Sequence, residues 1–177
     1  DSPEYSWRAF HIDCARHFIP AEELKKMIRM AAHFKFNKFH WHFSDDQGWR
    51  IECRRYPLLH EVGAVRKGDH MGNYDSEETE DRYYTRDQVR EIVAYCKELG
   101  VEVIPEVDMP GHVTALLAAY PQYGCRGEQI PVETRAGIFR DILCAGKEET
   151  FEFIEGLLDD LLELFPGTYF HIGGDEA

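Results

Sequence analysis

Acidic and imidazole side chains in this 177-residue chain gather at the ends of short apolar runs. AFHID (residues 9–13) ends on Asp13, with Arg16 and His17 just beyond. KFHWHF (38–43) carries His40 and His42 and runs into Asp45 and Asp46. VEVIPEV (101–107) holds Glu106 and leads to Asp108 and His112; TYFHIGG (168–174) holds His171 and leads to Asp175 and Glu176. One acid at a strand end is ordinarily a helix cap or a solvating loop residue. Four successive strands delivering the same kind of group point instead to a shared site at the C-terminal end of a parallel sheet.

Three segments narrow the chemistry. His40 and His42, H-x-H on a strand, project to the same face. They suit either a hydrolytic metal site or hydrogen-bonded wall residues beside Trp41. DDQGWR (45–50) brings an aromatic and an Arg directly after the strand. Trp49 is either core or an aromatic face for the apolar side of a pyranose. GGDE (173–176) is the most informative: two glycines let the backbone pass close to a neighbour, and adjacent carboxylates on extended chain point in different directions. Asp175 and Glu176 then meet different parts of a substrate, one ionised and one serving as an acid. Glycosidases that use two carboxylates place them about 5 to 9 Å apart across the scissile bond. Neighbours on one strand fit instead a reaction whose nucleophile belongs to the substrate.

Such strand ends need elements to hold them. Between the first two strands, PAEELKKMIRMAAHF (20–34) places Leu24, Met27, Ile28, Ala31 and Phe34 on one helical face. Thr85 and Gln88 form a capping-box pattern ahead of Val89, Ile92, Val93, Cys96 and Leu99, and Gly100 stops that helix. HVTALLAAY predicts a short helix after the third strand. Residues 148–165 predict a last one with Phe151, Ile154, Leu158, Leu161, Leu162 and Phe165 inward. Residues 44–84 read as a long polar, glycine-containing stretch. The order β-α-β-α-β-α-β fits an open doubly wound sheet or part of a (β/α)8 barrel. No Gly-rich phosphate loop follows any strand, which disfavours a nucleotide-binding sheet.

Composition excludes other classes. Twenty Lys and Arg against 33 Asp and Glu give a net charge of −13, a surface that repels nucleic acid and anionic membranes. No apolar run is long enough to cross a bilayer. DSPEYSWRAF lacks the basic and apolar regions of a signal peptide, and localisation stays open. The five cysteines (14, 53, 96, 125 and 144) contain no CxxC pair. They read as small reduced hydrophobes, except that Cys125 and Cys144 share one loop region and are placed to pair.

WRAFHIDCARHF, NKFHWHFSDDQGWR, PEVDMPGHVTALL and FHIGGDEA, in that order, resemble glycoside hydrolase family 20, the β-N-acetylhexosaminidases. These motifs span essentially the whole chain. The resemblance implies a TIM-type (β/α)8 barrel of which residues 1–177 are the N-terminal half of the catalytic domain, with its first four strands. It implies removal of terminal β-linked N-acetylglucosamine or N-acetylgalactosamine from glycans without a cofactor, the substrate's acetamido group acting as nucleophile. Glu176 would be the general acid, and Asp175 would orient the acetamide and stabilise the positive charge. Arg8 would bind sugar hydroxyls, Asp45 and His112 would support the acid, and His42, Asp46 and Asp108 would brace that shell. Arg8-Ala9 stands where the family usually has Arg-Gly. The family's aromatic acetamide pocket comes from later strands. Two rival readings remain: a folded, catalytically incomplete fragment associating through open sheet edges, and a metal-dependent hydrolase built on His40 and His42.

Overall fold

The computed structural model describes residues 2–68 and 79–175. The central sheet is built on the alternation in KFHWHF. Strand β1 (Ala9–Asp13) pairs in parallel with β2 (Lys38–Asp45), which pairs in parallel with β6 (Glu102–Val107). The register sets Phe10 beside Phe39 and Ile12 beside Trp41, while His11 lies beside His40 and Asp13 beside His42. Because successive side chains alternate across a pleated strand, one sheet face is aromatic and the other carries imidazoles and carboxylates.

The aromatic face forms the core. Phe39, Trp41 and Phe43 are wholly buried, with Trp41 tilted against Phe43 at 4.3 Å and edge-on to Tyr84 at 4.9 Å. Each such side chain contributes roughly 1.5–3 kcal/mol through burial. Helix α1 (Ala21–His33) covers this face with Leu24 and Ile28 fully buried and Ala21 and Ala32 partly so; Met27 and Phe34 of the expected stripe are exposed. Helix α3 (Arg86–Glu98) starts at the expected capping box, with both reciprocal hydrogen bonds between Thr85 and Gln88 present. It buries Val89, Ile92 and Cys96.

The stretch 44–84 is more structured than its polarity suggests. It contains a two-residue strand β3 (Gly48–Trp49) turning back antiparallel onto β2, a helical turn α2 (Leu58–Glu61), and an antiparallel pair β4 (Val65–Lys67) and β5 (Thr79–Asp81). Fully buried Arg50 ties it together, donating to the carbonyls of Ala15, Ala64 and Arg82. Trp49 is wholly buried and donates to the Ile51 carbonyl, so it is core and presents no face to a ligand.

Helix α4 (Thr114–Ala119) follows β6, and α5 (Glu148–Leu162) buries Phe153, Leu157 and Leu161. The expected inward face of α5 is corrected: Phe151 and Leu162 point outward. The expected fourth strand is also shorter than its sequence suggests, a single parallel bridge between His171 and Glu106. Backbone bonds from His171 to the Pro105 carbonyl, and from Val107 and Met109 to the His171 and Ile172 carbonyls, hold that segment beside β6. Among the described residues no helix is long and apolar enough to cross a membrane.

Candidate active site at the strand ends

The polar sheet face converges on Glu106. Its Oε2 lies 2.7 Å from His42 Nδ1 and 2.7 Å from His40 Nε2, though His40 is poorly aligned as a donor. Its Oε1 lies 3.1 Å from His171 Nδ1. Burial alone would raise the Glu106 pKa, but the imidazoles of His11, His40 and His42 around it, His42 through a hydrogen bond, hold it far below the carboxylate range. Burial likewise opposes charge on His42, yet bonds to Asp45 and Glu106 raise its pKa to about 10. In the sequence Glu106 is a strand-end acid without a role, and His11 does not stand out at all. The period-2 alternation shared by His11, His40 and Glu106 is the signal that links them.

The ligand atoms of His11, His42 and Glu106, and those of His40, Glu106 and His171, lie within 4.8 Å of one another. In the first group both ring nitrogens of His42 are taken up by carboxylates, Glu106 and Asp45, so His42 stands there as a hydrogen-bonded wall residue. His40 faces Glu106 from the neighbouring position of the same strand face.

Beyond the histidines, β2 takes up one extra residue between His42 and Ser44, a bulge of the kind that re-aims side chains at a sheet end. Asp45 and Asp46 follow it, both buried. Asp45 Oδ2 accepts from His42 Nε2 at 3.0 Å and pairs with Arg16 Nη2 at 2.7 Å. Asp46 Oδ1 accepts from the Thr114 amide and hydroxyl at 3.0 and 2.6 Å, anchoring the start of α4, and Asp46 Oδ2 meets His112 Nδ1 at 3.0 Å. His112 has a left-handed φ of 52°, an uncommon backbone state for a non-glycine residue and one held here by its surroundings. Its Nδ1 also lies 3.2 Å from Asp45 Oδ1, and its Nε2 lies 3.6 Å from Asp175 Oδ2. Burial opposes its charging, but the charge on Asp45 and the hydrogen bond to Asp46 outweigh that and raise its pKa.

Asp175 reaches this point through the glycines. Gly173 has φ +73°, and a Cβ there would fall 1.6 Å from Asp108 Oδ1, so only glycine lets the chain pass Asp108 this closely. Asp108 Oδ1 accepts from the Gly174 amide at 3.3 Å. Burial first, and the Asp175 charge second, push the Asp108 carboxyl up to about 7. An acid whose folded-state pKa is raised from 3.8 to about 7 withdraws stability as pH climbs between those values, because the unfolded chain releases the proton first. Asp108→Asn removes that titration and preserves the acceptor. In urea unfolding, the variant is expected to match the wild type below pH 4 and to exceed it by about 2–4 kcal/mol at pH 8. A pH-independent difference would show that Asp108 titrates normally.

Not every expected residue joins this group. Arg8 precedes β1 at the opposite end of the sheet, its guanidinium donating to the Lys35 and Tyr5 carbonyls. Among the described residues Arg8 therefore pairs with none of the strand-end acids, and its role toward sugar hydroxyls stays an expectation from the resemblance. The cation at the strand ends is Arg16, paired with Asp13 at 2.8 Å and with Asp45, its side chain 41% exposed. Buried Arg66 donates to the Arg16 carbonyl and fixes that backbone. Asp45, Asp46, Asp108, His112 and Asp175 come together; His42 touches them through Asp45. Glu176 lies outside the described residues.

The chain as a whole is similar to known proteins. The model of the glycosyl hydrolase family 20 catalytic domain matches residues 5–177. The chain is 46% identical to a beta-hexosaminidase of Porphyromonas gingivalis, over 100% of its own length and 22% of that protein's. It superposes on a beta-N-acetylhexosaminidase crystal structure with a TM-score of 0.93 and 42% identity, covering 100% of this chain and 37% of that one. A mutant Streptomyces plicatus beta-hexosaminidase in complex with its product GlcNAc matches at TM-score 0.91 and 39% identity, over 100% and 34%. The chain spans about a fifth to just over a third of the length of these relatives. Four motifs, one continuous match and a common arrangement of strands agree: the chain belongs to glycosyl hydrolase family 20.

Proposed function

We propose that this chain forms the first half of a (β/α)8 barrel that hydrolyses terminal non-reducing N-acetyl-β-D-hexosamine residues by a retaining, substrate-assisted route. The observation that carries the reading is the contact chain Asp46–His112–Asp175, which brings the second, third and fourth motifs to one point. Asp175 lies 3.6 Å from His112 Nε2, at the edge of the buried bracing network. Its carboxylate orients the acetamide so that the carbonyl oxygen attacks C1, and offsets the positive charge of the resulting oxazolinium. Glu176, next in the chain, protonates the leaving oxygen and then deprotonates the water that opens the ring. His112, whose pKa the neighbouring Asp45 and Asp46 raise against its burial, supports the protonation state of that acid. Arg8 binds sugar hydroxyls as the resemblance implies, and Arg16, its side chain partly exposed and paired with Asp45, is a second cation, placed at the strand ends.

The remaining strands supply the acetamide pocket, and the exposed Tyr169 and Ile172 lie where they dock; apart from them, the same edges associate with other copies. The relative captured with GlcNAc supports the substrate class. The experiment is proton NMR of the full-length enzyme turning over an aryl N-acetyl-β-glucosaminide. Two displacements at C1 predict the β-anomer as first product, whereas a direct water attack would give the α-anomer.

A further inference from the structure

We propose that Glu106 is a positioning residue of the candidate active site: it holds His42 as a double donor and, through His42, governs how much of the Asp45 charge reaches His112. The inference rests on the proposed hydrolase reading and gives a role to a residue that this reading leaves unused. Glu106 lies across from His42 in the register of β6 on β2, and both are buried. Glu106 Oε2 lies 2.7 Å from His42 Nδ1, and His42 Nε2 lies 3.0 Å from Asp45 Oδ2. Asp45 Oδ1 in turn stands 3.2 Å from His112 Nδ1, and His112 Nε2 stands 3.6 Å from Asp175 Oδ2. Acids and imidazoles therefore alternate in one continuous line from β6 to Asp175.

An ionised carboxylate only accepts, so a ring caught between two of them serves both when each of its nitrogens carries a proton. With a neutral group in place of Glu106, burial favours the uncharged ring, which has a single N–H. His40 offers no second route: its Nε2 is as close to Glu106 as His42 is, but it is not aligned to hydrogen-bond. His42 and Arg16 both approach Asp45 Oδ2, at 3.0 and 2.7 Å, and share its charge. Once His42 is neutral that sharing falls to Arg16, and more of the Asp45 charge acts on His112. Asp46 beyond β2, Asp108 at the end of β6 and Asp175 also face His112, but Asp45 is the one hydrogen-bonded to His42. The line thus ends on the imidazole that supports the acid in the proposed reaction.

The test uses the full-length enzyme with isotope-labelled histidine and an aryl N-acetyl-β-glucosaminide as substrate. Glu106→Gln keeps the size of the side chain and removes its charge. It should shift the NMR titration of His112 to higher pH. It should also lower kcat by about tenfold, a part of what general acid assistance supplies, with KM little changed. In an Asp45→Asn background the same change should have little further effect on either, because its route runs through Asp45. His42→Gln should move His112 in the same direction, and it carries the test if Glu106→Gln fails to fold. A His112 titration that stays in place or moves to lower pH would overturn the proposal. So would a Glu106→Gln loss that adds in full to that of Asp45→Asn. A wild-type enzyme without hydrolase activity would sink the hydrolase reading instead, and the His112 titration would still decide whether Glu106 acts on it.

Discussion

Replacing Glu176 by Gln in the full-length enzyme is expected to slow hydrolysis of substrates with poor leaving groups by about 10²–10⁴-fold. The amide keeps the size and polarity of the acid but has no proton to give the glycosidic oxygen. The loss should shrink for an aryl glycoside whose phenolate departs with little protonation. That dependence on leaving group separates an acid from a residue that merely holds the site in shape, whose loss would be similar for both substrates. Comparing kcat/KM for alkyl and nitrophenyl N-acetyl-β-glucosaminides makes the distinction.

Asp175→Asn is expected to cost about 10²–10³-fold on either leaving group, the size of loss seen when one preorganised electrostatic partner of a transition state is removed. The substituted amide would retain one acceptor toward the acetamide N–H and stay near His112, which the native carboxylate approaches to 3.6 Å. It would lack the negative charge that balances the oxazolinium. Because the deficit concerns charge developed after binding, it should fall on kcat more than on KM. A loss confined to KM would make Asp175 a binding residue only.

Both variants act at a place largely legible in the sequence. The strand β1 and the Thr85–Gln88 box lie where local chemistry set them, since both depend on signals contained within a few residues. What misled was tertiary. In α5, apolar residues at 151, 153, 154, 157, 158, 161 and 162 surround most of the helix, and only packing decides that Phe153, Leu157 and Leu161 face inward. Strand β3 has two residues, too few for any periodicity, and owes its existence to pairing with β2. TYFHIGG has strand composition, but its described residues pair only with β6, and a single bridge results.

The site divides in the same way. Acids and imidazoles at strand ends were readable because parallel strands share one C-terminal edge. The two arginines of the first motif were not separable by type. Arg8 and Arg16 flank a five-residue strand, roughly 16 Å of extended chain, and only the direction of that strand says which of them stands beside the strand-end acids. The gathering of His40, His42 and His171 around Glu106 was likewise a matter of register, visible once three strands are laid side by side.

The most direct measurement is the rate of the full-length enzyme across substrates whose N-acetyl group carries zero, one, two or three fluorines, with the leaving group fixed. Each fluorine draws electron density from the carbonyl oxygen and weakens it as a nucleophile while changing the sugar little. If that oxygen attacks C1 under the guidance of Asp175, kcat/KM should fall steeply and monotonically along the series. A flat response would contradict the account, because it would mean that the acetamide takes no part in breaking the bond.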